Sequence, residues 1–274
     1  MKRIAAVNDI SGYGKCSLSV ALPVLSCMGF EVCPLPTAVL STHTGFSNPS
    51  IVDFTPYIDS FTEHWKQLGI VFDAVYSGYL ASLLQFDSVI RLIEYAKSIN
   101  PDCFVLIDPV MADNGKLYST MNIEYAQRFS ELSSFADLIT PNITEAHYLL
   151  GIEYTHASVD DAVDMAQRLF DKFNCPTIIT GVVSGGSIYN IVFDGVTHKI
   201  FSAPFISNAV SGTGDLFAST VCGYVVSGLN IFDASRKAAD FVYHCMIKTR
   251  TGSLLAFEQS LGLLSNSDRF IETL

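Results

Sequence analysis

Short apolar segments alternate with amphipathic segments along most of the chain. Five largely apolar segments of four or five residues are predicted to be buried β-strands: 4–7, 74–77, 104–108, 137–140 and 177–180. Two further segments, 31–35 and 38–40, also have the composition of extended chain. Apolar residues at helical spacing predict helices at 16–28, 56–68, 81–98, 123–133, 143–150 and 159–173. This alternation favours a mostly parallel sheet that is covered by helices on both faces.

The pattern changes in the last third of the chain. β-branched and alternating residues at 187–193 and 197–201 flank Asp194-Gly195, which is a strong signal for a β-hairpin. Two apolar helices and a short C-terminal helix follow, the first two at 216–226 and 231–248. No repeat, low-complexity segment or linker interrupts this order, so residues 1–274 are interpreted as one α/β domain with an antiparallel hairpin at the sheet edge.

Composition narrows the range of partners. The chain has 274 residues, of which 49% are hydrophobic and 16% are charged, and its formal net charge is −11. This acidic balance, without a basic patch, disfavours nucleic acid as a partner. No apolar run reaches the roughly 18 residues that a membrane-spanning helix needs, and the N-terminus is interpreted as a strand rather than a signal peptide. Seven widely spaced cysteines without a C-x-x-C pair indicate buried thiols in a reducing compartment, so we expect a cytoplasmic protein.

The run Ser211-Gly212-Thr213-Gly214-Asp215 directly precedes the apolar helix predicted at 216–226. Two glycines let the chain turn tightly, and the first N–H groups of a buried helix need partners. Together with the helix dipole, these N–H groups form an anion site that suits phosphate. A carboxylate beside bound phosphate is expected when it removes a proton from an attacking hydroxyl, which would make Asp215 a general base. An ordinary cap, with Ser or Thr at the cap and an acid in the first turn, explains the run equally well.

Polar residues follow the predicted strands, as they should where ligands bind beyond the carboxyl ends of a parallel sheet. Three carboxylates, Asp108, Asp113 and Glu145, follow two neighbouring strands. Carboxylate oxygens suit Mg²⁺, which keeps several water ligands and bridges phosphates. Glu145 also lies three residues after Asn142, a spacing at which it could instead complete the cap of the next helix.

Residues 11–17 partly match two nucleotide-binding motifs. A Walker A loop is excluded because Asp9 stands where its first glycine is needed. A dinucleotide fingerprint needs a third glycine, and Ser17 fills that place, although Glu31 lies at the distance expected of the acidic partner. A nicotinamide-dependent reductase therefore stays open as a different class of enzyme.

Taken in order, these segments resemble the ribokinase superfamily and, within it, the vitamin B6 kinases. The matching motifs extend over almost the whole chain: Asp9-Ile10-Ser11-Gly12, Ser41-Thr42-His43-Thr44-Gly45, Ser77-Gly78-Tyr79, Asp108-Pro109-Val110-Met111-Ala112-Asp113, Gly115-Lys116-Leu117-Tyr118, Thr140-Pro141-Asn142-Ile143-Thr144-Glu145 and Gly212-Thr213-Gly214-Asp215. The last motif marks the superfamily broadly, whereas the His-Thr-Gly turn and the run from Asp108 to Tyr118 point to the B6 kinases. The resemblance implies a ribokinase-like fold.

The resemblance also implies roles for individual residues. Asp215 matches the catalytic base, and the residues that match the anion hole are Gly212, Thr213 and Gly214. The residues that match contacts to the substrate ring are Ser11, Thr44 and the aromatic Tyr79. The nucleotide site corresponds to Asp108, Thr140, Asn142 and Thr180, and the metal site corresponds to Asp108, Asp113 and Glu145.

The implied activity is phosphorylation of the 5′-hydroxymethyl group of a B6 vitamer, a small pyridine, by ATP with Mg²⁺. A monovalent cation is a further candidate, and the family also implies a homodimer. Ala112 replaces the glycine usual in the family, and Lys15 and Cys16 depart from the better-known B6 kinases. The loop with Lys15 and Cys16 looks closer to a bacterial pyridoxamine kinase branch that borders the hydroxymethylpyrimidine kinases of thiamine synthesis. A hydroxymethylpyrimidine kinase and a non-catalytic B6-binding protein therefore remain alternatives.

Overall fold

Strands and helices alternate through most of the chain, as the apolar pattern predicts. The computed structural model describes residues 1–207 and 210–265. Its strands are β1 Arg3–Tyr13, β2 Glu31–Thr42, β3 Ile51–Asp53, β4 Ala74–Ser77, β5 Phe104–Ile107, β6 Ala112–Asp113, β7 Lys116–Leu117, β8 Leu138–Ile139, β9 Thr177–Ser184, β10 Ser187–Phe193 and β11 His198–Pro204. Its helices are α1 Leu18–Cys27, α2 Thr55–Gln67, α3 Leu84–Ile99, α4 Ile123–Ser133, α5 Ile143–Leu150, α6 Val159–Phe173, α7 Thr213–Val226, α8 Ile231–Lys248 and a 3₁₀ helix at Glu258–Leu263.

The main sheet has nine strands in the order β11-β10-β9-β8-β5-β4-β1-β2-β3. The six strands from β9 to β2 run parallel, and β3 pairs antiparallel with β2 at one edge. At the other edge, β10 and β11 form the predicted hairpin. Because β1 lies between β2 and β4, the chain changes direction across the sheet at this point. Ligands of open α/β sheets bind at such a switch point, beyond the carboxyl ends of the strands.

Helices cover both faces because strands of a buried parallel sheet carry apolar side chains on both sides. One face packs against α2 to α6 around buried residues that include Phe86 and Leu169. The other face packs against α1, α7, α8 and the 3₁₀ helix around residues that include Leu25 and Val221. The predicted α/β class, the parallel sheet and the late hairpin are therefore confirmed. None of the helices in the described ranges has the length and hydropathy needed to cross a membrane.

Several strands differ from the sequence-based expectation. β1 continues past residue 7 to Tyr13, because its polar residues still pair with β2, and 31–35 and 38–40 belong to one strand. The pattern did not predict β3, which has three exposed residues and so lacks a buried face. β9 continues to Ser184 and turns back into β10 through Gly185 and Gly186. Both glycines have positive φ, so this edge is a three-stranded antiparallel unit and not a lone hairpin.

Candidate active site

A cleft of about 1010 Å³ at the carboxyl edge of the sheet collects the residues that the motifs single out. Its lining includes Thr44, Tyr79, Asp108, Asp113, Thr140, Asn142, Glu145, Thr180, Gly212, Thr213, Gly214 and Asp215. Ser11 is the exception among the predicted site residues. Its side chain is buried, and its hydroxyl donates to Asp9 Oδ2 at 3.3 Å. Ser11 thus supports the wall of the cleft from behind.

The glycine turn before α7 lines one part of this cleft. Gly212 is the N-cap residue, with a φ of 91° in the left-handed region that favours glycine. A Cβ at this position would also overlap the carbonyl oxygen of Lys15. The N-cap is Gly212 and not Ser211 or Thr213. No side chain therefore accepts hydrogen bonds from the first N–H groups of the helix. The turn therefore presents backbone donors and the positive end of the helix dipole to the cleft.

Asp215 lies in the first turn of α7 and is held from several directions. Its carboxylate accepts hydrogen bonds from the Ser17 N–H and from its own N–H. Asn8 Nδ2 also donates to Asp215 Oδ1, at 3.4 Å. Burial raises the pKa of Asp215, and these hydrogen bonds oppose the rise. A half-buried carboxylate with a raised pKa is suited to accept a proton from a hydroxyl.

Asp108 and Glu145 form a buried acidic pair in the same cleft. Burial raises the pKa of Asp108 well above its usual value, and the negative charge of Asp215 raises it further. The Thr140 hydroxyl beside Asp108 opposes this rise. Burial, followed by the charge of Asp108, likewise raises the pKa of Glu145. The pair therefore resists holding two negative charges unless a cation binds close by.

Backbone N–H groups engage both oxygens of the Glu145 carboxylate. Met111 N donates to Oε1 at 3.1 Å, and Asn142 N donates to Oε2 at 2.8 Å. The Asn142 side chain in turn accepts from Glu145 N at 2.9 Å. This reciprocal pair is the capping box that the spacing predicts, so Glu145 does serve the cap of α5 while it lines the cleft.

The cleft is strongly acidic. Among the described lining residues there are six carboxyl groups and one Lys or Arg side chain. The carboxyl groups belong to Asp9, Asp108, Asp113, Glu145, Asp215 and Asp240, and the cation is Arg236. A polyanionic nucleotide would be repelled by this surface without a neutralising ion, and hard oxygen donors suit a divalent cation such as Mg²⁺. The donor set therefore fits the predicted cation.

The three predicted metal residues differ in what they offer such an ion. In residues 1–207 and 210–265, no three His, Cys, Asp or Glu side chains converge closely enough to hold a metal by themselves. Phosphate oxygens and water would therefore complete the shell, with Asp108 the residue best placed to approach the ion. Glu145 would act through water, because backbone donors occupy both of its oxygens. The Asp113 carboxylate is exposed and accepts from Asn114 N at 2.8 Å and from Asn114 Nδ2 at 3.0 Å.

Tyr79 and a histidine turn line the part of the cleft beyond β1, β2 and β4. The backbone of Tyr79 is fixed on both sides: its N–H donates to Asn8 Oδ1 at 2.8 Å, and its carbonyl accepts from Thr37 Oγ1 at 2.8 Å. In the turn that contains Thr44, His43 Nδ1 accepts from Gly45 N at 3.1 Å. This arrangement places a rigid aromatic residue and a polar turn where an acceptor ring could bind.

The predicted nucleotide residues lie at neighbouring strand ends. Asn142 and Thr180 form a parallel β-bridge after β8, and Thr180 N donates to the Pro141 carbonyl at 2.9 Å. An apolar wall next to them is supplied by β11, the segment after it and α8. Its members include Ile200, Phe201, Phe205, Val242, Tyr243 and Met246. Apolar and aromatic side chains beside polar strand ends suit a purine base and its phosphates.

Two parts of this site are not among the predicted site residues. Asn8 and Asp9 are 1% and 5% exposed, and Asp9 lines the cleft. Burial raises the pKa of Asp9 to about 6, and the charge of Asp215 adds to the rise. Both residues follow the predicted strand 4–7, and Asp9 opens one of the motifs that resemble the B6 kinases, but the sequence pattern assigns no role to either residue. The apolar wall of α8 gave no separate signal, because apolar residues on an amphipathic helix look like core.

Comparisons with known proteins agree on one family. A sequence profile named Phosphomethylpyrimidine kinase matches residues 66–254. A pyridoxine/pyridoxal/pyridoxamine kinase of Bordetella bronchiseptica is 27% identical over 257 residues, which cover 90% of this chain and 89% of the relative. A Bacteroides thetaiotaomicron protein, assigned as a phosphomethylpyrimidine kinase and crystallised with pyridoxal, has a TM-score of 0.91 and 35% identity, covering 96% of this chain and 95% of that one. Pyridoxal kinase from Lactobacillus plantarum has a TM-score of 0.88 and 26% identity, covering 96% of each chain.

Proposed function

The chain belongs to the phosphomethylpyrimidine kinase family, and we propose that it transfers the γ-phosphoryl group of ATP to the 5′-hydroxymethyl group of a vitamin B6 vitamer. The observation that carries this proposal is Asp215, which lines the same cleft as the glycine turn of α7 and Tyr79. The B6 acceptor is favoured by the relative that was crystallised with pyridoxal. The resemblance to B6 kinases stated from the motifs is thereby confirmed, which disfavours the nicotinamide-dependent reductase.

In the proposed reaction, Asp215 accepts the proton of the hydroxymethyl group as its oxygen attacks the γ-phosphorus. The bond from that phosphorus to the bridging oxygen breaks, and ADP leaves. The N–H groups of the turn at Gly212, Thr213 and Gly214 stabilise the negative charge on the transferring oxygens. Asp215 then releases its proton to solvent, and the product is the 5′-phosphate. The residues of this chain thus supply a base, an anion hole and a shaped cleft.

We assign the remaining predicted residues to the two ligands. Polar contacts to the nucleotide fall to Thr140, Asn142 and Thr180, and contacts to the acceptor ring fall to Thr44 and Tyr79. Ser11 would act indirectly, by holding Asp9. Mg²⁺ would lie near Asp108, with Asp113 and Glu145 acting through water, and when bound it would neutralise charge on the phosphate oxygens. A monovalent cation remains a further candidate.

A hydroxymethylpyrimidine kinase is the second candidate, and the name of the matching family favours it. Both reactions phosphorylate a hydroxymethyl group beside an aromatic ring, so Asp215 and the glycine turn serve either one. A coupled assay of ADP formation with pyridoxal, pyridoxamine, pyridoxine and hydroxymethylpyrimidine side by side distinguishes them. We expect the highest kcat/KM with a B6 vitamer. A higher kcat/KM with the pyrimidine would select the second candidate, and no ADP with any acceptor would favour a non-catalytic binding protein.

We further propose a homodimer in a reducing, cytoplasmic setting. Support for the dimer comes from the exposed edge at β3, where Ile51 and Val52 are 43% and 57% exposed. Support for the setting comes from the seven cysteines, all of which are free thiols. We interpret the whole chain as one kinase domain, because the motifs of the site extend from β1 to α7.

A further inference from the structure

We propose that Asn8 is a positioning residue that holds the Asp215 carboxylate in place for proton transfer. The inference rests on the proposed kinase function and deepens it, since it gives a role to a residue outside the predicted site. Asn8 is 1% exposed and lies within β1, directly after Val7, the last residue of β1 that pairs with β4. β1 lies between β4 and β2, at the switch point of the sheet, where ligands of open α/β sheets bind.

The hydrogen bonds of Asn8 determine which way its amide faces. Its Oδ1 accepts from the N–H groups of Asp9 at 3.0 Å and Tyr79 at 2.8 Å. Backbone N–H groups can only donate, so the atom that faces them must be the amide oxygen. The NH₂ group is therefore forced toward Asp215, where Nδ2 lies 3.4 Å from Oδ1. The Asn8 amide thus connects the carboxylate of Asp215, on α7, to the backbone N–H of Tyr79, which lines the cleft.

Gly78 provides the space that this amide occupies. A Cβ at Gly78 would overlap Asn8 Nδ2 and would lie 2.8 Å from Asn8 Cγ. Its backbone does not require glycine, because its φ is outside the positive range where glycine is favoured. The absence of a side chain at residue 78 is therefore explained by the position of the Asn8 side chain.

A neutral donor is the suitable partner for Asp215 at this place. The charge of Asp215 raises the pKa of ionisable groups on several elements: Asp9 on β1, Cys16 before α1, Tyr76 on β4, Asp108 after β5 and Tyr118 after β7. These groups are acids, so they add no positive charge that could orient the carboxylate. The Asn8 amide donates a hydrogen bond without adding a charge, which leaves Asp215 free to change its protonation state during turnover.

The test compares Asn8→Ala and Asn8→Asp in the wild-type and Asp215→Asn backgrounds. If the hydrogen bond to the Asp215 carboxylate is lost from the transition state, kcat should fall about 10- to 100-fold, the usual contribution of a hydrogen bond to a charged group. We expect that loss in Asn8→Ala, with the KM for ATP changed by less than about threefold. If Asn8 acts through Asp215, adding Asn8→Ala to Asp215→Asn should change the residual kcat by less than about twofold.

Asn8→Asp and one further variant, Gly78→Ala, separate positioning from folding. Asn8→Asp keeps an oxygen for the two backbone N–H groups but turns the donor that faces Asp215 into an acceptor. The second buried carboxyl group should lower the melting temperature, because two carboxylates side by side resist holding two negative charges. The variant should still lose kcat at temperatures where circular dichroism shows that it is folded. Gly78→Ala should lose kcat in the same way, because its Cβ displaces the Asn8 amide. Asn100→Ala is the matched control, since Asn100 Nδ2 donates to the Phe72 carbonyl at 2.9 Å, before β4 at the opposite edge of the sheet. It should retain the wild-type kcat.

Two results would overturn the positioning role. One is a kcat within about threefold of wild type in both Asn8 variants. The other is an equal loss from Asn8→Ala in both backgrounds, which would mean that Asn8 acts independently of Asp215. If the wild-type protein forms no ADP with any acceptor, the proposed function fails instead. Crystal structures of wild type and Asn8→Asp then decide the inference without turnover, since an Asp215 carboxylate unmoved by the substitution would contradict it.

Discussion

At the scale of single residues, two features near Asp215 cost stability: the backbone conformation of Ser17 and the burial of the Asp215 carboxylate itself. Ser17 has a φ of 53°, an uncommon value for a residue with a side chain, and its N–H donates to Asp215. Gly212 adopts its left-handed conformation without such a cost, because it has no Cβ to meet the Lys15 carbonyl. A strained residue like Ser17 is typical of sites where the backbone must deliver N–H groups to a reacting centre. Asp215 is the residue on which these groups converge, which makes it the most direct test of the mechanism.

We expect Asp215→Asn to lower kcat by about 10²- to 10⁴-fold, the usual contribution of a general base. The amide has the same size as the carboxylate and cannot accept the hydroxyl proton. Binding of ADP, measured by calorimetry, should change by less than about threefold, because the glycine turn is untouched. The exposed Asp171→Asn serves as the control and should keep the wild-type rate. A kcat of Asp215→Asn within about threefold of wild type would remove Asp215 from this role.

At the scale of elements, capping decides how much of the fold could be predicted from the sequence. The helices whose predicted bounds agree with the structure are α4, α5, α6 and α8. Each of them begins after an Asn or Ser whose side chain accepts a backbone N–H of the first turn. The helices α1, α3 and α7 lack such a side-chain cap, and their predicted starts are two or three residues off. A polar cap is a local signal, whereas the start of an uncapped helix depends on tertiary contacts.

The same distinction between local and tertiary signals applies to the candidate site. Glycine turns and strand ends are local features, so the predicted site residues that line the cleft could be proposed from motifs. The role of Asn8 depends on Asp215, which is 207 residues away along the chain. No periodicity reports such a contact. Burial of Asp9 likewise follows from packing at the switch point and not from its neighbours in sequence.

The cap of α6 gives a prediction at this scale. Ser158 Oγ accepts from Asp161 N at 3.1 Å, and Asp161 Oδ2 accepts from Ser158 N at 2.8 Å. Ser158→Ala removes the first of these bonds and should lower the free energy of unfolding by about 1 kcal/mol, as measured by urea denaturation. The control Ser98→Ala, on the exposed side of α3, should stay within about 0.5 kcal/mol of wild type. Because α6 does not line the cleft, kcat should not change in Ser158→Ala, and a loss of activity would contradict this reading.

At the scale of the whole molecule, the topology gathers acidic groups from distant parts of the chain at one edge of the sheet. Asp9, Asp108 and Glu145 are 5%, 6% and 3% exposed, and burial raises the pKa of each. The folded state therefore binds more protons than the unfolded chain at pH values above about 4, where an unfolded aspartate loses its proton. By linkage, the free energy of unfolding must fall as pH rises through this range.

We expect the protein to be more stable near pH 5 than near pH 7.5, because the pKa of Asp9 is raised to about 6. The contribution of Asp9 is fully present below about pH 4 and is lost as pH passes about 6, an effect on the order of 2–3 kcal/mol. Asp59 and Asp194 have lowered pKa values, but their contribution is lost only as the pH falls below their unfolded values near 4. Urea denaturation from pH 5 to pH 8 measures the slope. Asp9→Asn should flatten it and raise stability at pH 8, and an unchanged slope in this variant would contradict the assignment.

The exposed edge of the sheet carries the last prediction, which concerns assembly. β3 pairs with β2 on one side only, and Val39, Ile51 and Val52 leave apolar surface exposed there. β3 itself is short and ends in Asp53, so the candidate contact is this exposed apolar surface, which a second copy of the chain could cover. We therefore expect wild type to elute as a dimer and Val52→Lys as a monomer in size-exclusion chromatography with light scattering. Val196→Lys, at the 86% exposed turn of the hairpin, is the matched control and should remain dimeric. If wild type is a monomer at all concentrations, the proposed dimer is wrong. If Val52→Lys is still a dimer, the dimer interface lies elsewhere on the molecule.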